Sequence, residues 1–104
     1  MHPEIKQNWI DALRSGDFKQ GRYALFNSST NTYCCLGVLC EITLQPLQHF
    51  DSRVKLYNNE QTSLSSNFLL TIGMGDGVQK TLMSLNDLDN KSFNEIADWI
   101  EENL

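Results

Sequence analysis

The run from Cys35 to Thr43 constrains the fold most, because it is apolar on almost every side. Four of its positions recur at the spacing of a helix, and they are Leu36, Leu39, Cys40 and Thr43. Pro46 predicts the end of the run, since proline cannot continue a helix. A helix without a polar face is stable in water only when other elements cover it. We therefore predict a central buried helix that begins at about Cys35.

The length of 104 residues predicts one domain, residues 1–104, around one core. The hydrophobic share of 40% argues against a disordered chain. A domain this short buries a modest core, and oligomerisation is a common remedy. We therefore expect a homo-oligomer.

Residues 3–15 have the pattern of an amphipathic helix, with Pro3 suited to the first position and Gly16 to the stop. Two short strands, residues 23–26 and 32–34, flank a run of turn-forming residues, so we predict a β-hairpin.

The sequence patterns that predict helices and strands are less clear in the second half of the chain. Residues 53–57 alternate like a strand, so residues 47–67 could form a second hairpin or a long loop. Residues 79–86 suit a short helix, and Ser92 with Glu95 forms a capping box that begins a last helix. The sequence therefore predicts a small α+β domain.

The net charge of −5 belongs entirely to the end of the chain. Residues 86–104 contain one base, Lys91, and six acids: Asp87, Asp89, Glu95, Asp98, Glu101 and Glu102. Duplex DNA is a poor partner for such a chain, because duplex binding needs a broad basic face. The simplest interpretation of the acidic segment is a solvated helix face.

The three cysteines, Cys34, Cys35 and Cys40, form an odd set and indicate reduced thiols in a cytoplasm. No secretory signal opens the sequence, and no apolar run is long enough to span a membrane. The position of Cys34 and Cys35 before a helix would favour a reactive thiolate, but the only bases for a cysteine hydrolase are His2 and His49. The cysteines also lack a second pair of ligands at the spacing that a zinc site needs. We therefore predict core cysteines, no enzyme, no metal and no cofactor.

The loop Lys19-Gln20-Gly21-Arg22 is the best candidate for a ligand site. Two cations can pair with a phosphate or carboxylate, Gly21 permits close backbone approach, and Gln20 can bind a polar edge. Tyr33 or Trp9 could stack on a base. The alternative is a solvated loop whose bases pair with the acidic terminal helix.

The sequence resembles a widespread family of small tailed-phage proteins. The resemblance lies in three blocks: the opening helix into residues 19–22, then residues 33–41, and then residues 85–87 with residues 92–98. It does not extend to residues 45–78, so no function carries over to them. It implies a phage accessory protein in the host bacterial cytoplasm, and such proteins often counter host defences. One strategy is to sequester the cyclic nucleotide signal of a host immune system without catalysis.

On this hypothesis Lys19, Gln20 and Arg22 contact an anionic nucleotide, Tyr33 stacks on its base and Asn86 binds a polar edge. A second hypothesis is an inhibitor that binds a basic host protein through Asp98, Glu101 and Glu102. The glycines of residues 73–77 lack the spacing of a phosphate-binding loop and predict a flexible turn.

Overall fold

The computed structural model describes residues 1–27, 29–44 and 66–104 of the chain. The elements within these ranges are α1 (Pro3–Ser15), β1 (Phe26–Asn27), β2 (Thr32–Tyr33), α2 (Cys35–Leu44), α3 (Ser66–Ile72), α4 (Asp76–Asp87) and α5 (Phe93–Asn103). Helices around a two-stranded antiparallel hairpin confirm the predicted small α+β fold. The predicted strand 53–57 lies outside the described residues.

Helix α1 has the predicted bounds. Pro3 occupies its first turn, where the missing N–H costs nothing, and Gly16 ends it in the left-handed conformation with φ 81°. Its inward face buries Trp9, Ile10 and Leu13. The Trp9 indole Nε1 donates a hydrogen bond of 2.9 Å to the carbonyl oxygen of Cys35, so α1 is tied to the start of α2.

The hairpin is shorter than predicted. Phe26 pairs with Tyr33 in an antiparallel register, but the expected strand over residues 23–25 is wrong. Tyr23 has φ 68°, a left-handed conformation that no strand residue adopts, so the chain bends before β1 begins.

Helix α2 is the central buried helix that the sequence predicts. Residues 34–40 are all buried. Gly37 is required for this packing, because a Cβ at that position would overlap the carbonyl oxygen of Leu25 and lie 2.7 Å from its carbonyl carbon. The segment before the hairpin therefore lies directly against α2.

Helices α4 and α5 complete the core. Helix α4 begins at Asp76, three residues before the predicted start, and α3 is a helix that the sequence pattern did not predict. The predicted capping box of α5 is confirmed: Ser92 Oγ accepts from the Glu95 amide at 3.2 Å, and Glu95 Oε1 accepts from the Ser92 amide at 3.0 Å. The hydrogen bond from the Ser92 amide lowers the pKa of the Glu95 carboxyl.

None of the described helices is long and apolar enough to cross a membrane.

Candidate functional site

The loop of residues 19–23, called here the Lys19–Tyr23 loop, lies along strand β2. The amide of Gly21 donates to the carbonyl of Tyr33 at 2.7 Å, and the amide of Tyr33 donates to the carbonyl of Lys19 at 2.8 Å. Gly21 permits this close approach, because a Cβ there would overlap the hydroxyl of Thr32 and lie 2.7 Å from Thr32 Cβ. Gly21 therefore allows the loop to contact strand β2 of the same protein.

Asn86, which is fully buried, is hydrogen-bonded to the Lys19–Tyr23 loop. The Asn86 Oδ1 atom accepts from Gln20 Nε2 at 2.9 Å and from the Cys35 amide at 3.3 Å. Its Nδ2 donates to the Gly21 carbonyl at 2.9 Å and to Asp87 Oδ1 at 2.8 Å. We call this set of five residues the Asn86 junction. It joins the loop, the start of α2 and the end of α4.

The structure thus brings the predicted site residues Gln20 and Asn86 together, but through a hydrogen bond between their own side chains. Gln20 Nε2 also donates to the Lys91 carbonyl at 2.8 Å, so both amide protons are used within the fold. Asn86 has no exposed surface. The structure gives both side chains a role in holding the loop, and their contact with a ligand stays a prediction.

The two cations of the loop, Lys19 and Arg22, are exposed. Among the described residues, neither forms an ion pair with a carboxylate. Arg14 behaves differently, since its guanidinium lies 2.6 Å from Asp98 and 3.5 Å from Glu101 of α5. Hydrogen bonds to these carboxylates raise the pKa of Arg14. Within the described part of the chain, Arg14 pairs with the terminal helix, and the pairing that the alternative interpretation expected of the loop bases is not observed.

The aromatic candidates differ in exposure. Trp9 is fully buried, so the prediction that it could stack on a base is wrong. Tyr33 is half-buried, with its ring edge-on to Phe18 at 5.2 Å and tilted against Phe26 at 4.7 Å between centroids. Burial raises the pKa of its phenol. Stacking by Tyr33 stays a prediction, and the described contacts show it supporting the loop.

Tyr23 is the exposed aromatic of this region, and the sequence interpretation missed it. Its side chain is 64% exposed, and its amide donates to Asp87 Oδ1 at 3.1 Å. Beside it lies an open groove of about 330 Å³. The groove is lined by Tyr23, Lys80, Met83, Ser84, Asp87 and Leu88. The position of Tyr23 directly after Arg22 is the available signal, but the run of residues 23–26 ahead of turn-forming residues favours a strand.

A second groove, of about 300 Å³, lies at the acidic end of the chain. Its lining residues are Leu85, Lys91, Glu95, Asp98, Trp99 and Glu102. Lys91 Nζ is 3.9 Å from Glu95, and Asp98 is already paired with Arg14, so part of this acidity is neutralised within the fold.

The cysteines are buried, as the core interpretation predicts. Burial raises the pKa of the Cys34 thiol to about 11 and that of Cys35 well above its ordinary value. The suggestion that the start of α2 would favour a thiolate is therefore wrong, because loss of solvation outweighs the helix terminus. No group of residues that could hold a metal ion occurs in the described ranges.

Residues 1–71 match the family model described as "Domain of unknown function (DUF8296)". The match covers the Lys19–Tyr23 loop, the hairpin and α2, while Asn86 and α5 lie beyond it. No curated protein and no solved structure gives a significant match. Since the family model covers more than half of the chain, the protein belongs to the DUF8296 family.

Proposed function

We propose that this protein is a phage counter-defence factor that binds and sequesters an anionic nucleotide signal, without catalysis, in the host cytoplasm. The observation that carries the proposal is the exposed charge of Lys19 and Arg22. Both are exposed on a loop that the Asn86 junction holds in place, and neither is neutralised by a carboxylate among the described residues.

The chain as a whole is acidic. With a net charge of −5, the protein has no excess of cations to place on its surface. A cation without a partner costs the fold little, but it leaves a full charge for an external anion. Arginine and lysine both form charge-assisted hydrogen bonds to phosphate, and a loop already ordered loses little entropy on binding.

Sequestration also agrees with the buried thiols. A protein that only binds has no transition state to stabilise, so it needs no activated nucleophile. The phage origin rests on the resemblance of the loop and cysteine segments to small tailed-phage proteins. We propose in addition that the protein acts as a homo-oligomer, which size-exclusion chromatography with light scattering would test.

The direct test is the Lys19→Ala, Arg22→Ala double variant against a panel of cyclic di- and trinucleotides by calorimetry. Two lost charge-assisted contacts of ~1.5 kcal/mol each predict a loss of about 100-fold in affinity with an unchanged melting temperature. The matched control is Lys6→Ala, Arg14→Ala, which removes the same charge from groups that contact α5. It should keep wild-type affinity. A wild-type protein that binds none of the panel would refute the proposal.

A second candidate function is supported by the groove at the acidic end. Trp99 lies there with Asp98 and Glu102, an arrangement that could hold a basic side chain of a host protein. On that hypothesis Glu102→Lys with Trp99→Ala abolishes capture of a stoichiometric host protein from infected cells. A nucleotide released on boiling the purified protein would instead favour sequestration.

A further inference from the structure

Tyr23 has a backbone conformation that its residue type disfavours. Five described residues have positive φ, and four of them are of the types that tolerate it: Gly16, Gly73, Asn31 and Asn90. Tyr23, at φ 68°, is the exception. An aromatic residue in this conformation is strained, and it stays there because the surrounding structure holds it.

The strain is not compensated by burial of the ring. The side chain is 64% exposed, whereas the other tyrosine of the hairpin region, Tyr33, is packed between two phenylalanines. The backbone is held instead by Asp87, whose Oδ1 accepts from the Tyr23 amide at 3.1 Å and from Asn86 Nδ2 at 2.8 Å. The fold therefore fixes the backbone of a residue whose side chain it leaves in solvent.

The groove beside Tyr23 has the character of a site for a flat, partly apolar group. Met83 and Leu88 supply apolar surface, and Leu88 is 67% exposed. Ser84 supplies a hydroxyl at the same groove, and Asp87 supplies a carboxylate whose Oδ1 already accepts from the Tyr23 amide and Asn86 Nδ2. Its volume of about 330 Å³ falls in the range of small-molecule sites.

Positive charge accompanies this apolar surface. Arg22 directly precedes Tyr23, and Lys80 lines the groove. Lys80 lies 3.2 Å from Asp76, but this pair is largely exposed, so it competes weakly with an anionic ligand. An aromatic face next to cations is the combination that single-stranded nucleic acids and nucleotides bind. The nucleobase stacks on the ring, and the phosphate pairs with the basic side chains.

We infer that the groove lined by Tyr23, Met83 and Leu88 binds the base of the nucleotide whose phosphate is held by Lys19 and Arg22, with Tyr23 as the stacking residue. The inference rests on the proposed function and assigns to Tyr23 the role that the sequence analysis predicted for Tyr33. Lys80 is then a third cation for the phosphates.

The test uses Tyr23→Asn and Tyr23→Phe in the full chain, with the cyclic di- and trinucleotide panel as probes. Asparagine tolerates the left-handed conformation, so Tyr23→Asn removes the ring while relieving strain. We expect a melting temperature equal to or above that of the wild type and a loss of about tenfold or more in affinity. Tyr23→Phe keeps the ring and should bind within about threefold of the wild type, since stacking needs only the aromatic face.

The outcomes separate this inference from the proposed function. If Lys19→Ala, Arg22→Ala loses binding but Tyr23→Asn does not, the base lies elsewhere and the inference is wrong while the proposed function stands. A large fall in the melting temperature of Tyr23→Asn would mean that the ring stabilises the fold, which also refutes the inference. If the wild type binds no nucleotide of the panel, both proposals fail together.

Discussion

The Lys19–Tyr23 loop contains two kinds of residue, and their surroundings differ sharply. Gln20 and Gly21 are half-buried and hydrogen-bonded to the side chain of Asn86. Lys19 and Arg22, which flank them, are exposed and have no ion-pair partner among the described residues. The fold therefore satisfies the neutral polar groups of the loop internally and leaves its charges to the solvent.

The difference predicts that the buried part of the loop determines stability and the exposed part determines binding. An unpaired buried polar group costs more than a lost surface charge, because it gives up water without gaining a partner. Substitutions in the two parts should therefore differ in their effects on stability and on binding.

The largest expected effect is that of Asn86→Ala. This change removes all four hydrogen bonds of the buried amide and leaves the Gly21 carbonyl and the Cys35 amide without that partner. We expect the free energy of unfolding to fall by about 4 kcal/mol, measured by urea denaturation. The matched control is Asn94→Ala on the exposed face of α5, where the change should stay within about 0.5 kcal/mol.

A loss below about 1 kcal/mol for Asn86→Ala would contradict the view that the buried part of the loop determines stability. The junction would then contribute little to the stability of the fold, and the predicted ligand contact of Asn86 would require its side chain to leave the buried position. Nucleotide binding by the variant would decide that point.

These residues also show how far sequence reasoning reaches. Helix α1, the start of α2 and the capping box of α5 depend on neighbours within a few positions, so local pattern predicted them. The Asn86 junction joins positions 65 and 66 residues apart, and no local pattern indicates such a contact. The left-handed bend at Tyr23 depends on Asp87, 64 residues away, so the run of residues 23–26 ahead of the turn formers did not reveal it.

Cys34 gives the next prediction, because it directly precedes Cys35 of the junction and is likewise buried. Burial raises its pKa from 9.0 to about 11, and the charge of Asp87 adds a smaller contribution in the same direction. Below about pH 9 the thiol is protonated in both states. Between pH 9 and about 11 the unfolded chain loses the proton while the folded protein keeps it, so the free energy of unfolding falls as the pH rises.

We expect this thiol to remove about 2 kcal/mol of stability by pH 11, measured by urea denaturation in reducing buffer. Cys34→Ala should flatten the alkaline part of the profile relative to the wild type. Equal slopes in the two proteins would contradict the assignment. Rapid alkylation of Cys34 at pH 7 in the folded protein would do the same, since it requires an accessible thiolate.

The matched changes Arg14→Gln and Arg22→Gln should have the weakest effects on the melting temperature. Arg14→Gln breaks the ion pairs to Asp98 and Glu101, so we expect a slightly lower melting temperature, with the difference shrinking in high salt. Arg22→Gln breaks no ion pair with a described residue and should leave the melting temperature unchanged at every salt concentration. A salt-sensitive loss of stability in Arg22→Gln would mean that the loop cation is neutralised within the folded protein. The positive charge on which the proposed binding depends would then already be occupied.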